Sequence, residues 1–398
     1  MSAPIKDLKV VIFSHYCATG ACEELRDWLN NGAVREVVYV AFPFGSNPDR
    51  FIRADCYAEG RHVRQVRSLF RLKLPEPLAY AKDFAYAVWY AWRFGRKADV
   101  LVAGDNLLTL AASLAKGCSG IKRIVYYMID YTPVRYANRL LNRVYCWIDG
   151  LAATRATQVW PLTEEMIRAR FEAGQLDERK VRYRVVPYGC TPMADVAFDR
   201  KQVVYMGGVA KQKGAELFVP FALELKKRVP DFRFVIIGDG RDIPALREDI
   251  QRAGLQEQVT VHGFIEVMQD VLALLAKAGV AIAPYYPFDT NSFTFYADPG
   301  KIKTYLGCGL PIVLTDVPPI AKTLASAHVG KIASYDAADF AEKVAEIMNA
   351  PDYNMLRTRV QDFGKRFDWN TIFETALTNV VRTVFIVFSL LQSNGGII

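Results

Sequence analysis

Short apolar runs alternate with longer stretches of mixed polarity along most of the chain. Residues 10–13, 36–41, 99–103 and 123–128 read as strands, and residues 22–30 and 107–116 as helices. A polar, glycine-containing turn at 18–21 separates the first strand from the first helix. Apolar runs too short for helices, spaced by helical segments, predict a parallel sheet covered on both faces. A polar, turn-like stretch at 190–202 reads as a linker. The pattern then restarts, with strands at 203–206, 232–238, 259–262, 280–284 and 311–315, each followed by a glycine-rich or polar end and a helical run. Residues 351–391 read as helical, with Asp368-Trp369-Asn370 suited to cap the final helix. The fold class is therefore α/β, with two Rossmann-like domains and no internal sequence repeat. The expected boundaries are 1–190 and 198–370, with 371–398 a last helix returning to the first domain.

Length agrees with two domains, because 398 residues exceed one ordinary core. Charge divides the halves. Residues 1–190 hold 28 Lys or Arg against 19 Asp or Glu, a net +9, and the remainder 22 against 23, a net −1. A basic first domain attracts a phosphorylated substrate, an anionic membrane or nucleic acid. No aromatic platform series or basic recognition helix accompanies the charge, so nucleic acid is not an expected partner. Residues 77–97 read as a helix rich in Tyr, Trp and Phe, preceded by Arg61, Arg64, Arg67, Arg71 and Lys73. Basic side chains beside aromatic ones suit an anionic lipid surface. The alternative is a buried helix beside an exposed, charged helical face.

Seven scattered cysteines, at 17, 22, 56, 118, 146, 190 and 308, form no framework and read as reduced thiols. The four histidines, at 15, 62, 262 and 328, form no close pair, so no metal site is expected. The apolar run at 8–13 is a strand rather than a targeting segment, and 383–391 is too short to span a bilayer. The expected location is the cytoplasm, at the inner face of the cytoplasmic membrane.

Four segments carry candidate chemistry. In residues 203–214 a strand ends at Gly207-Gly208, and Lys213-Gly214 precedes a helix expected from about Ala215. Glycines admit a ligand to the backbone, and lysine with a helix start favours phosphate. Neither a P-loop nor a three-glycine dinucleotide fingerprint is present. A second strand ends in Gly238-Asp239-Gly240, where open α/β sheets bind ligands. A third ends in His262-Gly263-Phe264-Ile265, whose backbone could read a base edge; His262 reads as a packed core residue rather than a catalytic group. The fourth, Asp298-Pro299-Gly300-Lys301-Ile302-Lys303-Thr304, opens a short helix closed by Gly309. Lys301 and Thr304 stand one turn apart near its positive end, a charge and a hydroxyl for a diphosphate or ribose.

In this order the four segments resemble the second domain of GT-B glycosyltransferases, most closely the retaining family 4, over about residues 200–375. The resemblance implies two domains facing across a cleft that holds a nucleotide diphosphate sugar as donor substrate, without cofactor or metal. It implies a glycan or lipid-linked acceptor on the first domain, in polysaccharide or glycoconjugate synthesis. It also implies that Lys213 contacts the diphosphate, that 263–265 lie by the base, and that the helix from Gly300 faces the phosphates. Gly20 matches a glycine loop beneath the donor, and Asp130 falls beside the position of a family histidine. Asp130, Lys213 and Lys301 are the candidate catalytic residues. Three departures are visible: the family arginine is Gly208, and its two glutamates are Tyr296 and Thr304, with Asp298 available for part of the first role. Other readings are a nucleotide-sugar-binding protein with little turnover, an inverting transferase or epimerase of the same fold, and a membrane-surface adaptor.

Overall fold

Two breaks in the pattern of backbone proximity, after Pro187 and after Asp368, divide the chain. Met1–Pro187 with Trp369–Ile398 form one unit and Tyr188–Asp368 the other. The computed structural model describes residues 1, 3–16, 20–43, 51–69, 74–194 and 196–393. Cys17, positions 18 and 19 of the first predicted turn, Arg71 and Lys73 lie outside the described residues.

The first unit holds a seven-stranded sheet: β1 (Lys9–Tyr16), β2 (Glu36–Pro43), β3 (Arg53–Ala58), β4 (Arg61–Arg67), β5 (Val100–Ala103), β6 (Ile124–Met128) and β7 (Gln158–Pro161). The order is β4-β3-β2-β1-β5-β6-β7, with β1 between β2 and β5. Five strands are parallel, with Val10 opposite both Val37 and Val100. Val11, Phe13, Val38 and Val40 pack against Ala87, Tyr90 and Ala91 of the Glu76–Phe94 helix, while adjacent residues face the other layer. There the Trp369–Ser393 helix docks. Its Asn370 accepts from Trp28 Nε1 at 3.0 Å, and Phe373 lies 5.7 Å from the Trp28 ring.

The edge of this sheet corrects the reading of the basic run. Arg61, Arg64 and Arg67 lie on β4, an exposed antiparallel edge strand, and not on a helical face. Glu59 and Gly60 both have positive φ, +51° and +78°, as a tight two-residue hairpin requires. Their turn returns the chain before a helix can form, and charged side chains then keep the edge from pairing.

The second unit holds β8 (Gln202–Met206), β9 (Arg233–Ile237), β10 (Val259–Gly263), β11 (Val280–Ala283), β12 (Ile312–Leu314) and β13 (Gly330–Ile332), all parallel, in the order β10-β9-β8-β11-β12-β13. Val203, Tyr205, Phe234 and Ile236 face Phe218 and Phe221. Val204, Val235 and Ile237 face Ile302, Tyr305 and Leu306. The predicted linker at 190–202 is tied down instead. Cys190 N donates to Phe367 O at 2.7 Å, Met193 N to Gly307 O at 2.8 Å and Asp199 N to Lys277 O at 2.8 Å. Its polar composition reflects a surface path rather than freedom.

One buried ion pair braces the first unit. Arg170 and Asp149, each 1% exposed, meet at 2.8 Å, and Tyr126 Oη donates to the same carboxylate at 2.6 Å. Removing one member leaves the other charged in an apolar interior. Arg170→Met should therefore lower unfolding free energy by about 3–5 kcal/mol in urea titration, with Asp149→Asn/Arg170→Met recovering most of it. A loss below about 1 kcal/mol in the single variant would show that water reaches the pair.

Candidate functional site

In the second unit β9 and β10 lie on one side of β8 and β11 on the other, so the topological switch point falls at the end of β8. Open α/β sheets leave a crevice there. Gly207 and Gly208 follow β8 at that point. The loops after β8, β9 and β10 run edge to edge: Gly207 N donates to Ile237 O at 2.9 Å, Val209 N to Asp239 O at 2.9 Å and Gly238 N to Gly263 O at 2.8 Å. Gly207 and Gly238 each have φ of +138°, and a Cβ on Gly238 would stand 2.0 Å from Gly207 O. Gly238 is thus required by backbone contact, and Gly207 by its positive φ, before any ligand is considered.

Two ammonium groups close over this backbone. Lys301 reaches from the Gly300–Gly307 helix, with Nζ 3.3 Å from Tyr205 Oη and 4.4 Å from the centre of the Tyr205 ring. A Cβ on Gly207 would lie 2.6 Å from Lys301 Nζ, and one on Gly208 3.1 Å from Lys213 Nζ. A side chain at either position would crowd the end of a lysine, which would have to shift. Burial, and then the charge of Lys213, push Lys301 down to about 7 from the ordinary lysine value near 10.5. Two like charges held beside glycines that carry no side chain suit a polyanion. Tyr205 Oη donates to Gly208 O at 2.9 Å, and Met206 N donates to Tyr305 Oη at 2.7 Å, which fixes the floor.

Other candidate positions fall into three places. Gly263, Phe264 and Ile265 follow β10; Phe264 is 72% exposed, while Ile265 leans on the core. Asp239 is exposed and accepts from Gly240 N. His262 is exposed and not a packed core residue, because β10 is the edge strand and its alternation turns 260 and 262 outward. Along the Gly300–Gly307 helix the side chains divide by period. Ile302 is fully buried in the core and its N–H is given to Pro299 O, so neither group is available to a ligand. Thr304 Oγ1 donates to Gly300 O at 3.1 Å, within its own helix. Asp298 is buried, accepting from Lys303 Nζ at 2.7 Å and from Tyr188 N at 2.7 Å. That ion pair anchors the helix start that presents Lys301. The predicted helix at Ala215 begins three residues later, at Phe218, after two short 3-10 turns, 211–213 and 215–217. Gly214, at φ +86°, packs so closely on Pro284 that a Cβ there would meet its carbonyl oxygen at 2.1 Å.

In the first unit the switch point lies at the end of β1, between β2 and β5. Gly20 precedes the Ala21–Asn31 helix there. His15, near the end of β1, hydrogen-bonds through Nδ1 to Asp105 at 2.6 Å, and Nε2 lies 3.8 Å from Asp83. Burial alone would lower the His15 pKa, but Asp105 and then Asp83 outweigh it and raise it to about 10. Sequence reading passed over this cluster. Its available signal was a histidine ending the first strand of an α/β domain and an aspartate opening the helix after β5. Asp130, beyond β6, is exposed and paired with Arg135 at 2.9 Å.

Among the described residues no group of three or more His, Cys, Asp or Glu is placed to hold a metal ion. Residues 200–350 match the family model of glycosyl transferases group 1. The chain is 29% identical over 147 residues to the alpha-D-kanosaminyltransferase of Streptomyces kanamyceticus, a match covering 33% of this chain and 38% of that protein. A 76-residue stretch is 36% identical to the 2-deoxystreptamine N-acetyl-D-glucosaminyltransferase of Niallia circulans, covering 19% of this chain and 20% of that one. The chain thus matches less than half the length of these curated relatives. Sucrose-phosphate synthase from Thermosynechococcus elongatus shares the fold, with a TM-score of 0.69 and 14% identity over 96% of this chain and all of that one. So does Anabaena HepE solved with UDP and glucose, at 0.64 and 16% over 94% and 99%. The chain is a GT-B-fold protein of two Rossmann-like domains. The match to the glycosyl transferases group 1 model lies within its second domain.

The lowered lysine has a measurable consequence. With Lys301 lowered to about 7 in the free protein, a diphosphate that binds beside it should draw a proton onto it. Affinity for a nucleoside diphosphate should fall as pH rises from 7 to 9, with proton uptake detectable by calorimetry in buffers of different ionisation enthalpy. Lys301→Met should bind more weakly at pH 7 and lose the uptake. Uptake that persists unchanged in this variant would assign the titration to another group.

Proposed function

We propose that the protein transfers a hexosyl unit from a nucleotide diphosphate sugar to a glycan or lipid-linked acceptor, with retention of anomeric configuration. The observation that carries this reading is the convergence of Lys213 and Lys301 on Gly207-Gly208 at the switch point of the second domain. The diphosphate lies against the glycine backbone, and the two ammonium groups stabilise the charge that develops on the β-phosphate as the glycosidic bond breaks. The departing phosphate takes the proton of the acceptor hydroxyl. Gly263–Ile265 border the base, with the exposed Phe264 ring available for stacking. Gly20, Asp130 and the His15 cluster belong to the acceptor domain. Lys301 stands in for the cation that Gly208 cannot supply.

Donor identity follows the relatives' names, which give N-acetyl-D-glucosaminyl and kanosaminyl groups, and the UDP held by HepE. UDP-hexoses are the first donors to test. Location at the inner face of the cytoplasmic membrane accords with the basic first domain; among the described residues no helix is long and apolar enough to cross a bilayer. The basic edge strand β4 and exposed Trp89 and Trp92 supply the groups for peripheral contact with anionic lipid. Tyr296 and Thr304, at family glutamate positions, favour a second reading in which nucleotide sugar binds with little turnover. Donor binding without transfer or hydrolysis across acceptors would select it.

Lys213→Ala should weaken binding of UDP or the matching donor at least tenfold, about 1.4 kcal/mol, in isothermal titration. An unchanged dissociation constant would place the phosphates elsewhere.

A further inference from the structure

The Arg139–Arg155 helix buries only Asp149, Ala152 and Ala153, all in its C-terminal half. Its first turns project. Leu140, Leu141, Val144 and Trp147 are 68%, 55%, 44% and 63% exposed. At roughly 100° per residue, Leu140, Val144 and Trp147 fall within an arc of about 60°, with Leu141 beside them and Arg139 and Arg143 along the opposite flank. Residues 131–148 contain three arginines and no carboxylate. Asp130 is engaged with Arg135, and Asp149 is buried against Arg170. Neither offsets Arg139 or Arg143.

We propose that this half-helix is a membrane-docking element that inserts its Leu-Leu-Val-Trp stripe among the acyl chains of an anionic bilayer while Arg139 and Arg143 pair with headgroup phosphates. Four large apolar side chains left in water on a protruding helix need a partner. A second copy of the chain would bring arginine to arginine. A helix accessible around so much of its circumference suits a deformable medium, into which it sinks to about 5–10 Å. Tryptophan and arginine are the residues that rest at headgroup depth. The neighbouring Asn106–Ser119 helix, which packs against it, adds exposed Leu114. The element follows the 129–138 loop from the C-terminal end of β6, the edge at which open α/β sheets take ligands. Docking there brings the candidate acceptor edge to the bilayer. The inference adds a docking element distinct from β4, Trp89 and Trp92, rests on the membrane contact proposed above, and does not depend on the donor site.

The test uses the full chain in flotation with phosphatidylglycerol–phosphatidylcholine vesicles and with phosphatidylcholine vesicles alone. Binding should require the anionic lipid, weaken with added salt, and fall at least tenfold in Leu140→Glu/Trp147→Glu. UDP affinity, read on the same preparation, should stay within twofold of wild type in that variant, which shows that the protein remains folded. Intrinsic tryptophan fluorescence should be quenched by bromolipid in wild type, and less so in Trp147→Phe. Equal binding of wild type and the double variant, absence of flotation, or a dimer in sedimentation that the double variant abolishes would each overturn the proposal. Loss of UDP binding in wild type would defeat the donor reading instead, leaving flotation as an independent result.

Discussion

Lys213 and Lys301 repel each other across a patch of bare glycine backbone, and the second domain is arranged to keep them there. Tyr205 beneath Lys301 offers its ring face and a hydroxyl oxygen, but no negative charge. Lys303, two residues on, is treated oppositely: it is buried and neutralised by Asp298. Opposite faces of one helical turn thus hold one lysine paired to a carboxylate and one paired to none among the described residues. The charge of Lys301 is costly in the free protein, as its low pKa shows, and a bound polyanion relieves that cost.

The sign of the linkage follows. A lysine lowered from near 10.5 to about 7 by folding leaves the unfolded chain holding more protons between those values. Stability therefore rises with pH across that window, and the penalty is complete below it. The protein is thus less stable at neutral pH for holding this lysine desolvated. His15 does the reverse: raised to about 10, it contributes stability that is fully present below its unfolded value near 6.5 and disappears as pH passes about 10. The two domains thus hold cations at their switch points by different means, one with no carboxylate partner among the described residues and one clasped by two.

Much of this was legible in the residues. Strands ending in Gly207-Gly208, Gly238 and Gly263 announce themselves by apolar runs stopped by glycine; Lys213 lies a few residues beyond the first, and Lys301 follows Pro299-Gly300 at a helix start. What escaped depends on long-range geometry. His15 and Asp105 are ninety positions apart and meet only because β1 and β5 are neighbours. The hairpin of β3 and β4 carries so many arginines that its alternation is masked. Ile302 and Thr304 belonged to the right helix, but period 3.6 turned one into the core and the other onto its own backbone. His262 reads as a core residue because the sequence does not tell whether its strand is central, and only sheet order reveals an edge.

A crystal structure of the protein with a bound nucleoside diphosphate tests the central claim most directly. The account predicts the β-phosphate oxygens within hydrogen-bonding distance of both Lys213 Nζ and Lys301 Nζ, resting on Gly207-Gly208. A diphosphate bound elsewhere, with Lys301 still folded over Tyr205 and out of contact, would contradict it.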